Sequence, residues 1–121
     1  MGKKADTSVL DGLLDVVATA TRMTVTSAEP ANFAGIAAVA LADDVLASGD
    51  FTKAAGDVSG RKVTVAQQAD IAIDIASGTA SHVCLDDGTT LLYVTTATEQ
   101  ALTLGGTVTV PQFDIEVAAP A

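Results

Sequence analysis

Between residues 6 and 20 the apolar side chains Val9, Leu10, Leu13, Leu14, Val16 and Val17 recur at helical spacing and leave Asp11, Gly12 and Asp15 on the other face. This predicts one amphipathic helix, capped by Asp6, Thr7 or Ser8 and stopping near Ala20. From Arg22 the period changes to two. Residues 22–27 alternate as a strand and end at Glu29-Pro30, because a residue before proline is pushed out of the helical region. Residues 31–47 fit no single template: Asn32 to Gly35 reads as a helical turn and 39–42 as a short strand. Turn formers at 48–50 and 56–60 bracket a loop or edge strand around Phe51. Beyond them, residues 61–66 put Val63 and Val65 on one face, and 69–76 put Ile71, Ile73 and Ile75 on one face.

Asp86-Asp87-Gly88 lies between the alternating runs 79–85 and 89–96, a strong hairpin signal. Gly105-Gly106 predicts a second hairpin, joining 101–104 to 107–110. Pro111 then separates that strand from 112–117, where Phe113, Ile115 and Val117 share a face. About seven to nine short strands after one helix define the expected fold class: mainly β, an antiparallel β-sandwich or barrel with one N-terminal amphipathic helix. No longer repeat is present, so a solenoid is not expected. The 121 residues read as a single domain, with 1–5 and 118–121 as flexible tails.

Composition supports this picture. Apolar residues make up 49% of the chain but aromatics only 3%, so the core must be built from Ala, Val, Leu and Ile. Abundant Thr, with Val and Ile, suits pleated strands. Six basic against 15 acidic residues leave a net charge of −9, which repels phosphate backbones and acidic membrane surfaces. Neither a nucleic-acid nor a membrane partner is expected. No apolar stretch is long enough to span a bilayer, and Asp11 and Asp15 interrupt what would be the apolar region of a signal peptide after Lys3 and Lys4. One Cys and one His exclude an internal disulfide framework, a multi-cysteine zinc site and any site with two imidazoles.

The candidate chemistry is sparse. Cys84 and His82 are the one nucleophile–base pairing, but on a strand their Cβ atoms stand roughly 6.6–6.8 Å apart, too far for a routine hydrogen bond. A buried free thiol is the plainer reading. Asp43-Asp44, Asp86-Asp87, Asp50 and Asp57 offer oxygen ligands for a hard cation, yet their spacing fits no calcium loop, and they read as turn carboxylates. Gly56 to Gly60 and Gly105-Gly106 lack the strand-to-helix setting of a phosphate cradle. No catalytic residue, metal or cofactor is expected. The candidate interface residues are Val9, Leu10, Leu13 and Leu14 on the helix and the basic pair Arg61-Lys62. Against an interface stands the ordinary alternative, in which the helix stripe covers the domain's own sheet and the basic pair lies on an exposed strand face.

Several segments resemble small virion proteins of about 120 residues from tailed bacteriophages and prophages. These are Ser8-Val9-Leu10-Asp11-Gly12-Leu13-Leu14-Asp15, the stretch from Thr21-Arg22-Met23 to Ala28-Glu29-Pro30, and Ser59-Gly60-Arg61-Lys62-Val63-Thr64-Val65-Ala66. Gly78-Thr79-Ala80-Ser81-His82-Val83 leading to Asp87-Gly88 and Leu91-Leu92-Tyr93, and Phe113-Asp114-Ile115-Glu116-Val117, continue the likeness. Residues 31–56 match least. The resemblance implies a non-enzymatic structural role in the virion: a capsid decoration or minor head protein, or else a head–tail, tail or fibre component. It implies assembly in the bacterial host cytoplasm and other virion proteins, the major capsid or tail protein, as partners. A homo-oligomer is expected, with a trimer among its candidate forms. A tail or fibre domain that binds host glycan is the rival reading. A hydrolase built on Asp86, Asp87 or Cys84 ranks below both.

Overall fold

The computed structural model describes residues 7–56 and 60–117. The expected tails 1–5 and 118–121, the Asp6 cap and the turn carboxylate Asp57 lie outside the described residues. Helix α1 (Thr7–Val17) forms where the apolar spacing places it. It stops three residues before the expected Ala20, because the Thr19 hydroxyl donates to the Val16 carbonyl at 2.6 Å and Ala20 N–H turns back to the Val17 carbonyl at 3.0 Å.

The strands follow in order: β1 (Arg22–Thr26), β2 (Ala40–Val45), β3 (Phe51–Ala55), β4 (Arg61–Val65), β5 (Gln68–Ala72), β6 (Gly78–Asp86), β7 (Leu91–Leu102), β8 (Thr107–Val110) and β9 (Phe113–Val117). Between β1 and β2 a 3₁₀ turn (Phe33–Gly35) runs into the short helix α2 (Ile36–Val39). Asn32 starts that turn by accepting the Gly35 N–H on its side chain at 2.9 Å. The helical-turn and strand readings of this ambiguous stretch therefore both hold.

A four-stranded sheet in the order β2-β1-β6-β7 forms one layer, and the sheets β3-β4-β9 and β5-β8 form the other. All pairings are antiparallel, and the arrangement is a sandwich, not a closed barrel. The period-2 alternation decides which side chains meet between the layers. Met23, Val25, Val83 and Leu85 of the first layer pack with Val63, Val65, Ile71, Val108 and Ile115 of the second. Helix α1 closes the sandwich by seating on β4 and β9, with Leu14 in the same apolar cluster.

Two expectations require correction. Gly105-Gly106 does not join a hairpin, since β8 pairs with β5 rather than with β7. Ile73 captures the turn instead: its N–H bonds the Gly106 carbonyl and its carbonyl accepts the Gly105 N–H, both at 2.9 Å. This carries the chain from one layer to the other. The run 69–76 is likewise shorter than its alternation suggests. β5 ends at Ala72, so Ile71 and Ile73 are buried while Ile75 leaves the face, 43% exposed.

Candidate interaction surfaces

The interface candidates separate into two groups. In α1, Leu10 and Leu14 are buried in the domain's own interior, whereas Val9 and Leu13 are 59% and 57% exposed, joined by Val16 at 56%. The helix is apolar on two adjoining sides, and the described residues bury only one. Arg61 and Lys62 form ion pairs within the chain, Arg61 Nε to Asp11 Oδ1 at 2.8 Å and Lys62 Nζ to Asp114 Oδ2 at 3.3 Å. The first pair fastens α1 to β4. A second link, Lys53 Nζ to Asp15 Oδ1 at 2.6 Å, fastens it to β3 and raises the Lys53 ammonium above its usual value, chiefly through that hydrogen bond.

A surface that the sequence reading did not single out is the outer edge of β7. This strand has 12 residues, with β6 on one side and no described strand on the other. Residues 96–101 are all exposed. Near its middle the register jumps: Ala80 faces Gln100 while His82 faces Thr96, so residues 97–99 stand opposite Ser81 alone. Beside this bulge lies a groove of about 330 Å³ lined by residues of β7, β8 and β9. The groove reaches the core residues Val25 and Val83, and its rim carries Thr96, Thr98, Gln100 and Phe113. The alternation of 89–96 after Asp86-Asp87-Gly88 signalled a strand, but nothing local marks a strand as an edge.

The outward face of the four-stranded sheet gathers the remaining polar groups. Asp86 is fully buried, accepts Arg22 Nε at 2.9 Å and takes the Gly88 N–H at 2.9 Å on its other oxygen. Arg22 also lies over the Phe33 ring, 5.8 Å from its centroid. The segment through Phe33 and Ile36 covers Thr24, leaving a small cavity of about 320 Å³, and the buried Thr24 hydroxyl has no hydrogen-bond partner among the described residues. Cys84 is buried and sits 3.8 Å from the Thr26 hydroxyl, while His82 Nδ1 pairs with Ser81 Oγ at 2.7 Å. The two are therefore engaged with different neighbours. Burial pushes the Cys84 thiol up, which keeps it protonated and unreactive at neutral pH.

The aspartates are spent on local structure. Asp50 accepts the Ala47 N–H at 2.8 Å, Asp44 accepts the Val45 N–H at 3.0 Å, and Asp87 accepts Thr89 and Thr90 N–H groups in the β6–β7 turn. The Thr90 and Thr89 amides hold the Asp87 carboxyl below the usual carboxylate range. Among the described residues no three His, Cys, Asp or Glu side chains cluster as metal ligands, and no helix is long and apolar enough to cross a membrane. Compared with protein-family models, curated proteins and solved structures, the chain matches none.

Proposed function

We propose that this protein is a non-enzymatic structural subunit of a tailed-bacteriophage virion, most simply a decoration or stabilising protein on the outside of the capsid. The observation that carries the reading is the open edge of β7. A 12-residue edge strand with no described strand on its outer side can add a strand from a neighbour, and the groove beside the bulge can admit an anchoring side chain from that strand. The resemblance of most of the chain to small virion proteins supports the same role. So does the charge of −9, which keeps an exterior subunit soluble and away from packaged DNA.

The test is incorporation. An antibody against the protein should detect it in density-purified particles from the strain that carries the gene. The double substitution Thr98→Lys and Gln100→Lys should abolish incorporation without lowering Tm, because both positions are exposed and edge lysines oppose strand addition. Particles that lack the protein, or that take up the lysine variant normally, contradict the proposal.

One observation favours a second reading, a tail or fibre component that binds host glycan. The groove rim presents Thr hydroxyls and the Gln100 amide beside the Phe113 ring, a mixture suited to a sugar. Labelled protein that adheres to host cells, and is displaced by their isolated surface polysaccharide, favours this reading over the first.

A further inference from the structure

Side chains alternate along β1, so Val25 enters the core while Thr24 points the other way, beneath the segment from Phe33 to Ala40. Thr24 is 1% exposed, and its hydroxyl has no hydrogen-bond partner among the described residues. The same residue lines the cavity of about 320 Å³ between that segment and the sheet. A buried hydroxyl left without a partner is costly, and the fold keeps one here in the wall of a space large enough for a ligand.

The other walls define what fits. Ile36 and Ala40 are buried and surround the inner end with apolar atoms, and the Phe33 ring forms one side. A water placed there meets Thr24 but needs about 2–4 polar partners to be held. A molecule with an apolar body and a single hydrogen-bonding group satisfies both kinds of wall, its body against Phe33 and Ile36 and its polar atom at Thr24. Volume sets the size. A cavity of ~150 Å³ accepts one benzene ring, so about 320 Å³ accepts about two fused rings.

Charge sets the rest. The side chains of Arg22 and Asp43, 37% and 34% exposed, mark the mouth. Arg22 is already engaged, with Nε on Asp86 at 2.9 Å and Nη1 at 3.9 Å from Asp43. Two carboxylates against one guanidinium, in a chain of net charge −9, turn an anion away. A cation would have to shed its hydration against apolar walls. The ligand is therefore uncharged. The cover over the cavity is short, a 3₁₀ turn and one turn of helix, tied to the end of β1 where the Ser27 N–H donates to the Val39 carbonyl at 3.0 Å. Such a cover yields locally without opening the sandwich beneath it.

We infer that this cavity binds a small uncharged molecule, about two fused rings in size, whose one hydroxyl group hydrogen-bonds Thr24. The site lies on the opposite face of β1 from the groove beside the β7 bulge, which Val25 reaches. It needs no particle, so it stands or falls apart from the virion reading.

The test uses 2-naphthol, naphthalene and 2-naphthoate as probes of the purified full chain at neutral pH. With no Trp in the chain, the emission of the naphthyl probes reports binding directly, and Tm reports it independently. 2-Naphthol should raise Tm and bind about tenfold more tightly than naphthalene, which lacks the hydroxyl. The anionic 2-naphthoate should leave Tm unchanged. Thr24→Val should reverse the preference between naphthol and naphthalene while the protein stays folded. Ala37→Leu, at an exposed position that lines the cavity, should weaken both probes at least tenfold by filling the space. Failure of 2-naphthol to bind overturns the inference, as does naphthol binding that survives both substitutions or an equal affinity for naphthol and naphthalene.

Discussion

Thr24 illustrates how a side chain's cost depends on what covers it. In strand alternation it points away from the core between Asp43 of β2 and Cys84 of β6, where a hydroxyl would normally meet water. The segment through Phe33 and Ile36 closes over it, and the hydroxyl is left buried without a partner among the described residues. Thr24→Val keeps the shape and removes the unmet hydrogen bond, so it should stabilise the protein by about 1–2 kcal/mol, read as a higher urea midpoint at unchanged m. A destabilised variant would show that the hydroxyl has a partner in solution. The alternation at Val63, Val65, Phe113, Ile115 and Val117 was fully legible in the sequence, because each face is set by nearest neighbours. The burial of Thr24 and the Arg22–Asp86 pair was not, since both depend on residues brought together by the fold, Arg22 and Asp86 lying 64 positions apart.

At the scale of elements, the two glycine-containing turns show what short-range signals convey. Asp87-Gly88 forms the hairpin its sequence announces, with Gly88 at φ +90° and the Asp87 carboxylate gathering the amides that follow. Gly105 at φ +94° makes an equally tight turn, yet the strands on either side of it belong to different layers. A turn signal specifies reversal of the chain; pairing is decided by which backbone is nearby, here that of Ile73. Gly105→Ala has open space for its methyl group but a backbone angle that L-residues avoid, so it should cost about 1–2 kcal/mol in chemical denaturation. A loss much smaller than this would mean that the turn relaxes to another conformation. In α1 the periodicity revealed the helix but merged its two apolar sides, since a stripe broad enough for two contacts reads as one amphipathic face until one side is docked.

For the whole molecule, titration sets the limits of stability. Asp114 is held below the usual carboxylate range first by the Thr64 hydroxyl and then by Lys62, a link between β9 and β4, and Asp87 is lowered by the amides of its turn. A carboxyl whose folded pKa lies below its unfolded one stabilises above the unfolded value and loses that contribution as pH falls through the folded one. Cys84 acts in the opposite direction: its raised pKa favours the fold below the ordinary thiol value, and the benefit fades as pH rises beyond it. Tm should therefore form a plateau from about pH 5 to about pH 8 and fall on both sides. Asp114→Asn should lessen the acid fall in thermal melts at constant ionic strength; an identical slope in the variant would refute the assignment. The sandwich itself was legible as a class, from strand number, spacing and Thr/Val content. Its division into three sheets and the open β7 edge were not, because closure into a barrel or a sandwich is settled by pairings such as β4 with β9 that join distant parts of the chain. The seat of α1 has a consequence for synthesis. The helix is finished at Val17 but docks on β9, which ends at Val117, so roughly 100 residues, some 5–20 s of translation, separate its emergence from its landing site. Through that interval both apolar sides of the helix face the ribosome, the chaperones and the nascent chains on neighbouring ribosomes, and folding within one chain competes with association between chains for the same surface.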